Sequence, residues 1–278
     1  MKALIYGGTG FIGQHLVNAL LKQGYDVGCV TRYPKQDQMV KYYDFSDSAE
    51  YIINEFQPDV IYYLSASYSK SSIEDIVNVN ITAPINILEY LSSHSKNTKF
   101  IYAGTYWQFG DADNAGVPID LYSSSKKAME SFFDYYNTYK GMSCIEVVFY
   151  GTFGVDDNRG KILDKLLDAF KSGKCIDTTE GDQELNLVDV EDIVINLIKL
   201  SKLSECSKYQ LKSDENYSLK TIVDIINNYG DFHVNYGAIP YREVELMKIS
   251  SCNRYKEIIV KDKIVSYIDS QLENKNVK

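Results

Sequence analysis

The sequence predicts a doubly wound α/β fold, in which helices cover both faces of a parallel sheet and a smaller α/β lobe follows towards the C-terminus. Short apolar runs alternate with helical periods through the first half of the chain, and this alternation is typical of parallel strands joined by crossover helices. The alternation ends after Gly154, which predicts the lobe. Because no repeat or long Pro/Gly linker separates the halves, we expect them to pack together.

The individual elements follow from short apolar runs for strands and from apolar residues at helical spacing for helices. Strands are expected near 2–6, 26–31, 39–43, 59–64, 98–103 and 143–149. Helices are expected near 11–23, 48–56, 73–94 and 121–139. After Gly154 the pattern predicts a helix near 160–171, a polar stretch to Glu184, a strand and then a helix near 186–204, and helices near 218–228 and 256–272.

A glycine turn connects the first strand to the first helix. Residues 7–13 read Gly-Gly-Thr-Gly-Phe-Ile-Gly and directly follow an apolar run. Gly7 permits a tight turn, Gly10 lets the backbone approach phosphates, and Gly13 lets helix and strand pack closely. The N–H groups and dipole of the helix N-terminus favour negative charge. We therefore expect a dinucleotide pyrophosphate to bind against Gly7, Gly10, Phe11, Ile12 and Gly13.

The G-x-x-G-x-x-G spacing resembles that of the short-chain dehydrogenase/reductase superfamily. The residue sequence at positions 7–13 is similar to that of the extended branch of this superfamily, the NAD-dependent epimerase/dehydratase family. The resemblance implies a Rossmann-like sheet, a C-terminal substrate-binding lobe and a nucleotide-diphosphate sugar as substrate. It assigns residues 1–154 and about 186–205 to the dinucleotide-binding domain. It assigns about 155–185 and 206–278 to the lobe.

The end of the second strand indicates which dinucleotide binds. NAD-binding folds usually place an acidic residue there against the ribose 2′-hydroxyl, whereas this chain has Thr31 and Arg32. A guanidinium pairs with the 2′-phosphate of NADP, and a carboxylate would repel it. We therefore expect NADP(H) in preference to NAD. The resemblance adds further cofactor contacts at the ends of the third and fourth strands, namely Asp44, Phe45, Leu64, Ser65 and Ala66, although Asp44 could equally be a turn residue.

Tyr122 and Lys126 form a Y-x-x-x-K pair, which puts both side chains on one face of a helix. Such pairs arise by chance in a chain with 24 tyrosines, and Tyr136 with Lys140 is a second one, which we expect to be exposed. The resemblance favours the first pair. In the family, the strand before this helix ends with a catalytic Ser or Thr five residues before a glycine, and Thr105 has this position relative to Gly110. An ammonium favours the phenolate, so we expect Lys126 to tune Tyr122 for proton transfer, with both residues also contacting the cofactor.

The residues after Thr105 restrict the reaction. The dehydratases of the superfamily have Asp and Glu there, and this chain has Tyr106 and Trp107, which cannot act as a carboxylic acid and a carboxylate base. Where the family often has Arg-Asp, this chain has Leu185-Asn186, so one expected diphosphate ligand is missing. The segment around Arg242 is similar to one in reductases of nucleotide-diphospho-4-keto-6-deoxyhexoses, such as CDP-abequose and CDP-paratose synthases. The expected substrate contacts are Ser67, Tyr106, Trp107, Gln108, Arg159 and Arg242.

Bulk properties exclude several partners. A net charge of −9 disfavours nucleic acid or an anionic membrane. No apolar run is long enough to span a bilayer and the first strand follows Met1 almost directly, so we expect a cytoplasmic protein. Five scattered cysteines without C-x-x-C spacing predict neither disulfides nor a metal site. The helices near 73–94 and 121–139 correspond to those through which relatives pair, so we expect a homodimer, although their apolar stripes could face only the sheet.

The leading hypothesis is an NADPH-dependent reductase that acts on the C4 keto group of a nucleotide-diphospho-4-keto-6-deoxyhexose, as the resemblance implies for bacterial deoxysugar biosynthesis, including that of O-antigen and other polysaccharides. A nucleotide-sugar 4-epimerase with tightly bound NAD uses the same three residues and is the main alternative. A non-catalytic, dinucleotide-sensing regulatory protein is a further alternative, because fold alone does not determine function.

Overall fold

An eight-stranded parallel sheet runs through the centre of the computed structural model, which describes residues 1–68, 72–111 and 115–273. In chain order the described strands are β1 (Lys2–Tyr6), β2 (Asp26–Thr31), β3 (Val40–Asp44), β4 (Val60–Tyr63), β5 (Lys99–Thr105), β6 (Ser143–Phe149), β7 (Gly151–Phe153), β8 (Ile176–Asp177), β9 (Glu184–Leu185), β10 (Leu187–Asp189), β11 (Lys208–Ser213), β12 (Tyr217–Ser218), β13 (Val234–Asn235) and β14 (Lys256–Val260). The central sheet has the order β14-β11-β6-β5-β4-β1-β2-β3. The predicted doubly wound parallel sheet is confirmed.

The helices that the structure describes lie between these strands. They are α1 (Phe11–Lys22), α2 (Ala49–Phe56), α3 (Ile73–Val77), α4 (Ala83–His94), α5 (Leu121–Tyr139), α6 (Ile162–Ser172), α7 (Val190–Ser201), α8 (Leu219–Asn227) and α9 (Ile264–Leu272). A π-helical turn over Asn78–Thr82 joins α3 to α4, so the helix expected near 73–94 is interrupted in its middle.

Both faces of the sheet are covered by helices. On one face, buried side chains of α1 and α7, including Leu16 and Leu197, pack against the strands. On the other face, α2, α4 and α5 contribute residues such as Ile52, Leu88 and Phe133. This arrangement follows from strands that are apolar on both faces, since each face must be buried by a helix.

A separate apolar core lies beyond the sheet. Helices α6, α8 and α9 pack around buried residues that include Leu166, Ile222 and Ile268. The helix expected over 256–272 is wrong in its first part, because residues 256–260 form β14 and the helix begins only at Ile264. The β-branched run Ile258-Ile259-Val260 favours a strand, which pairs with β11 at the edge of the sheet.

The main sheet therefore includes two strands from the segment that the sequence assigned to the lobe. β11 pairs with β6, and β14 pairs with β11. Only the parts of 206–278 around α8 and α9 contribute to the separate core, and residues 274–278 lie outside the described part. The division into two domains stays a prediction.

Asn186 connects the segment between β9 and β10 to the end of β11. Its side chain is 2% exposed, donates to the carbonyls of Ser213 (2.9 Å) and Glu215 (3.1 Å) and to Asn216 Oδ1 (2.8 Å), and accepts a hydrogen bond from the Ser213 N–H (2.8 Å). Because all of its polar atoms are used in this way, Asn186 holds the backbone together.

Replacement of Asn186 by Ala should therefore destabilise the protein. Loss of the Asn186 amide leaves the Ser213 N–H and carbonyl without their buried partner, and we expect the free energy of unfolding to fall by about 2–3 kcal/mol in a urea titration. Asn196→Ala is the matched control, since Asn196 makes one bond to the Asp192 carbonyl within α7. Equal unfolding midpoints for the two variants would contradict this assignment.

Candidate active site

The glycine turn after β1 is tightly packed and leaves the start of α1 open. Gly7 has φ +84°, and a Cβ atom on it would lie 2.9 Å from the Ser65 nitrogen. A Cβ atom on Gly13 would lie 2.1 Å from the Gly7 carbonyl oxygen, which confirms the close packing expected there. α1 begins at Phe11 after Gly10, and no side chain caps it. The first N–H groups of α1, from Phe11 and Ile12 onwards, are therefore available to an anion.

The ends of β2 and β3 lie beside this turn. The Thr31 hydroxyl is 3.1 Å from that of Thr9, and Arg32 is exposed without a hydrogen bond or ion pair to any other described residue. Asp44 Oδ1 accepts hydrogen bonds from the Ser46 N–H (2.8 Å) and hydroxyl (2.6 Å), which lower the pKa of the Asp44 carboxyl. Asp44 is thus held in a turn at the sheet edge.

Further predicted cofactor contacts lie just after the ends of β3 and β4. Phe45 packs edge-on against the Tyr6 ring, with 6.3 Å between the ring centres. Residues 64–67, which follow β4, are half-buried. The cofactor contacts assigned to Phe45, Leu64, Ser65 and Ala66 stay predictions.

Asn80, which the sequence analysis missed, fixes the loop after β4. Its amide accepts from the Ser67 N–H (2.9 Å) and donates to the Ser67 carbonyl (2.8 Å) and to the Ser125 hydroxyl (2.9 Å). The π-helical turn frees carbonyls that accept the hydroxyls of Tyr63 and Tyr102. The sequence signal that could have identified Asn80 is an Asn in the apolar stripe of the predicted helix 73–94. The structure buries it fully, and a buried amide needs hydrogen-bonding partners.

Thr105, Tyr122 and Lys126 come together at the end of β5. Thr105 is the last residue of β5, and Tyr122 lies in the first turn of α5, where Asp120 caps the Ser123 N–H (2.7 Å). The Thr105 hydroxyl lies close enough to the Tyr122 phenol to lower the pKa of that phenol. Lys126 lies one turn further along α5, with its Nζ 4.3 Å from the centre of the Tyr102 ring.

Burial dominates the titration of this group. Burial raises the pKa of the Tyr122 phenol, the charges of Tyr68 and Asp120 raise it further, and the neighbouring Thr105 hydroxyl lowers it. Burial also lowers the pKa of Lys126 to about 7. Lys126 is therefore a weaker source of positive charge than the sequence analysis assumed. Its Nζ is buried and has no hydrogen-bonding partner among the described residues.

The second Y-x-x-x-K pair differs from its expected setting. Tyr136 is buried, and its hydroxyl donates to Glu89 (3.0 Å) between α5 and α4. The expectation of an exposed pair is therefore wrong for Tyr136, because this face of α5 packs against the sheet. Tyr136 joins two helices and lies outside the group around Thr105.

Three of the predicted substrate contacts, Tyr106, Trp107 and Arg242, make ring contacts just beyond Thr105. Tyr106 stacks on Tyr150 with 5.1 Å between ring centres, and the Arg242 guanidinium lies 5.2 Å from the Trp107 ring centre. The structure thus brings Trp107 and Arg242 together from distant parts of the chain.

Gln108 points into the protein interior instead. It is buried, its Oε1 accepts from the Thr105 N–H (3.0 Å), and its Nε2 donates to Glu146 (2.8 Å) and to the Tyr255 hydroxyl (3.1 Å). The expected substrate contact of Gln108 is wrong, because its amide is used within the protein. Glu146 and Tyr255 were missed, although a lone Glu in the apolar strand β6 was a usable signal.

A positive cluster lies beside the glycine turn. Arg159 binds Asp157 (2.7 Å) and the Thr152 carbonyl (2.9 Å), and its guanidinium lies 4.1 Å from the Phe11 ring centre. Desolvation lowers the pKa of Lys161, and the charges of Arg159 and Arg242 lower it further. Lys161 is two residues from Arg159 in the sequence, but only the fold brings Arg242 close enough to act on it.

Neither a metal centre nor a membrane span is present in the part of the chain that the structure describes. Residues 1–68, 72–111 and 115–273 contain no group of three or more His, Cys, Asp or Glu side chains that could hold a metal ion. The same residues include no helix with the length and apolar character needed to cross a bilayer.

Comparisons with known proteins agree with this geometry. A sequence profile described as "NAD dependent epimerase/dehydratase family" matches residues 3–205. The CDP-abequose synthase of Yersinia pseudotuberculosis is 29% identical over 98% of this chain and 100% of its own length.

Solved structures support the fold. The UDP-glucose 4-epimerase of Thermotoga maritima, with UDP-glucose, superposes with a TM-score of 0.83 at 17% identity, and 100% of each chain is covered. The UDP-glucuronic acid 4-epimerase of Bacillus cereus, in complex with UDP-glucuronic acid and NAD, gives a TM-score of 0.81 at 17% identity, with the same coverage.

Replacement of Lys126 by Met should stabilise the protein most at lower pH. The pKa of Lys126 is about 7 in the folded state against an ordinary 10.5, so the unfolded state binds more protons between these values. The cost of burying the ammonium is full below pH 7 and disappears above pH 10.5. We expect the free energy of unfolding to rise by about 4 kcal/mol at pH 7 and about 1 kcal/mol at pH 9.5 in urea titrations. Lys127→Met is the control, and an equal gain at both pH values would contradict the assignment.

Proposed function

The chain belongs to the NAD-dependent epimerase/dehydratase family, and on that premise we propose that it reduces the C4 keto group of a nucleotide-diphospho-4-keto-6-deoxyhexose with NADPH. The observation that carries the proposal is the approach of Thr105, at the end of β5, to Tyr122 in the first turn of α5, with Lys126 one turn further along that helix. The similarity to a CDP-abequose synthase extends over nearly the whole chain and favours a CDP-linked substrate. Such a reduction would serve the biosynthesis of deoxysugars for O-antigen or related polysaccharides.

The residues present fit a dinucleotide. The uncapped start of α1 offers backbone N–H groups to a pyrophosphate. The buried Nζ of Lys126, which has no partner among the described residues, is a donor suited to ribose hydroxyls. When bound, the reduced nicotinamide supplies the hydride. Exposed Arg32 at the end of β2 offers a guanidinium to a 2′-phosphate, which supports NADPH over NADH.

The three residues can complete the reduction that the hydride begins. Tyr122 donates its phenolic proton to the substrate oxygen while C4 accepts the hydride, so the ketone becomes an alcohol. The raised pKa of the phenol keeps it protonated and able to donate at neutral pH. Thr105 holds the same oxygen by a hydrogen bond, which orients the carbonyl. Lys126, when protonated, favours the phenolate that remains.

The positive cluster is suited to the diphosphate of the substrate. The charges of Arg159 and Arg242 lower the pKa of Lys161, and an anion bound beside the three cations would add to the stabilisation that Asp157 gives. Arg242 covers Trp107, two residues from Thr105, so an anion held there lies close to the reacting end. This cluster offers an alternative to the missing Arg-Asp ligand at Leu185-Asn186.

Replacement of Tyr122 by Phe tests the proposed reduction. With CDP-, dTDP- and GDP-linked 4-keto-6-deoxyhexoses, we expect wild-type protein to oxidise NADPH, measured by absorbance, with at least one substrate. Loss of the proton donor should lower kcat by about 10²–10⁴-fold. Tyr136→Phe is the matched control from the second Y-x-x-x-K pair and should retain wild-type kcat. Full activity of Tyr122→Phe would exclude this mechanism.

A separate variant tests the cofactor preference. Arg32→Gln removes the charge available to the 2′-phosphate, so we expect KM for NADPH to rise about tenfold and KM for NADH to change little. Lys35→Gln, another exposed cation after β2, is the control. If Arg32→Gln affects both dinucleotides equally, Arg32 does not read the 2′-phosphate.

The main alternative is a nucleotide-sugar 4-epimerase, which would use the same three residues. An epimerase returns the hydride to its substrate and needs no net supply of reduced dinucleotide. Stoichiometric NAD in the purified protein, together with no NADPH oxidation by any of the sugars, would support the epimerase.

We further propose a homodimer formed through the helical segment 73–94, which comprises α3, the π-helical turn and α4, and through α5. Ile76 and Met129, which belong to the expected stripes, are buried within the chain. The outer side of α5, however, exposes Phe132, Tyr135 and Tyr139. An aromatic surface of this kind on a helix is typical of helix-to-helix association between subunits.

A further inference from the structure

Glu146 is a carboxyl group in the middle of the central sheet. It lies on β6 and is 1% exposed, and its neighbours in the strand are Ile145 and Val147. A carboxyl group in such a place costs stability unless it is hydrogen-bonded. An apolar residue at this position would be more stable if the strand had only a structural role. The hydrogen bonds of Glu146 therefore indicate what it does.

Hydrogen bonds link Glu146 to the catalytic strand end. Its Oε1 accepts from Gln108 Nε2 (2.8 Å) and its Oε2 from the Tyr255 hydroxyl (2.7 Å). Gln108 Nε2 also donates to the Tyr255 hydroxyl (3.1 Å), which closes a triangle of three side chains. The remaining polar atom of the Gln108 side chain, Oε1, accepts from the Thr105 N–H (3.0 Å). Glu146 therefore determines the orientation of the group that holds the Thr105 backbone.

Glu146 also lies close to Lys126. It pairs with Tyr102 in the register of β5 and β6, and Lys126 Nζ lies 4.3 Å from the Tyr102 ring centre. Side chains of paired residues in a parallel sheet share one face. The carboxyl group and the ammonium thus flank the same ring.

We propose that Glu146 is a positioning residue of the active site: through Gln108 it holds the backbone that carries Thr105, and through Tyr255 it ties this strand end to the segment before β14. The role rests on the proposed reduction, because Thr105 has to orient the substrate oxygen there. It adds to the three catalytic residues a polar group that touches neither substrate nor cofactor.

The charge of Glu146 has a second effect, on Lys126. A negative charge at Glu146 raises the pKa of Lys126 against the effect of burial. Burial raises the pKa of Glu146 itself to about 7, while Gln108 and Tyr255 lower it by hydrogen bonding. The titratable and charged groups that face Glu146 from the surrounding elements are Tyr102 on β5, Lys126 and Glu130 on α5, Lys208 on β11, and Tyr255.

The first test is the pH profile of kcat for Glu146→Gln. This variant keeps an oxygen that can accept from Gln108 but removes the charge, so the pKa of Lys126 should fall. We expect the basic limb of the kcat profile to move to lower pH by about one unit, with KM for the sugar changed less than about threefold. Glu184→Gln is the matched control, since Glu184 is a half-buried carboxylate that accepts a hydrogen bond from the Ile249 N–H (3.2 Å) and is not among the groups that act on Lys126 or Glu146. Indistinguishable profiles for wild type and Glu146→Gln would overturn the electrostatic effect.

The second test needs no activity. In Glu146→Ala, Gln108 loses its anchor, and we expect hydrogen exchange of the Thr105 amide, followed by NMR, to become at least about tenfold faster, while distant β1 amides exchange as in wild type. Unchanged exchange at Thr105 would overturn the positioning role. If wild-type protein reduces none of the sugars but Thr105 exchange still responds to Glu146→Ala, the proposed reduction fails and the hydrogen-bonded link stands.

Discussion

The reversal of strand order at β1 is the constraint on which the rest of the structure depends. β1 pairs with β2 on one side and with β4 on the other. The loops that follow neighbouring strands therefore diverge at the carboxyl end of β1, and a crevice opens there. The glycine turn, the end of β2 and residues 64–67 all border this crevice. The close contact between Gly13 and Gly7 sets the position of α1 and hence the direction of its N–H groups.

Buried polar groups specify the site beside this crevice. Lys126, Glu146 and Asn80 are each almost fully buried, and each would be replaced by an apolar residue if the sheet needed only stability. Asn80 holds the loop after β4, and Glu146 holds Gln108 behind Thr105. Burial of these polar groups costs stability, and their hydrogen bonds hold the backbone around Thr105 and Ser67 in one geometry.

The C-terminal segments supply what the sheet alone cannot. Arg242 reaches Trp107, and Tyr255 reaches Glu146, from more than a hundred residues along the chain. β11 and β14 extend the sheet while α8 and α9 build the separate apolar core. The C-terminal segments are therefore attached to the end of β5 and to β6 by direct contacts.

Local patterns in the sequence determined the parallel sheet, the glycine turn and the placement of Tyr122 and Lys126 one turn apart on α5, because spacing along one strand or helix decides which residues share a face. The same patterns predicted a helix over 256–260, where pairing with β11 favoured a strand instead. They also assigned Gln108 to substrate and left Lys161, Asn80 and Glu146 unnoticed. Those roles depend on contacts between distant segments, and burial there changes the pKa of Lys126 and of Glu146. Only the tertiary structure decides such contacts, because hydrogen-bonding partners and desolvation are properties of the packed chain rather than of its local sequence.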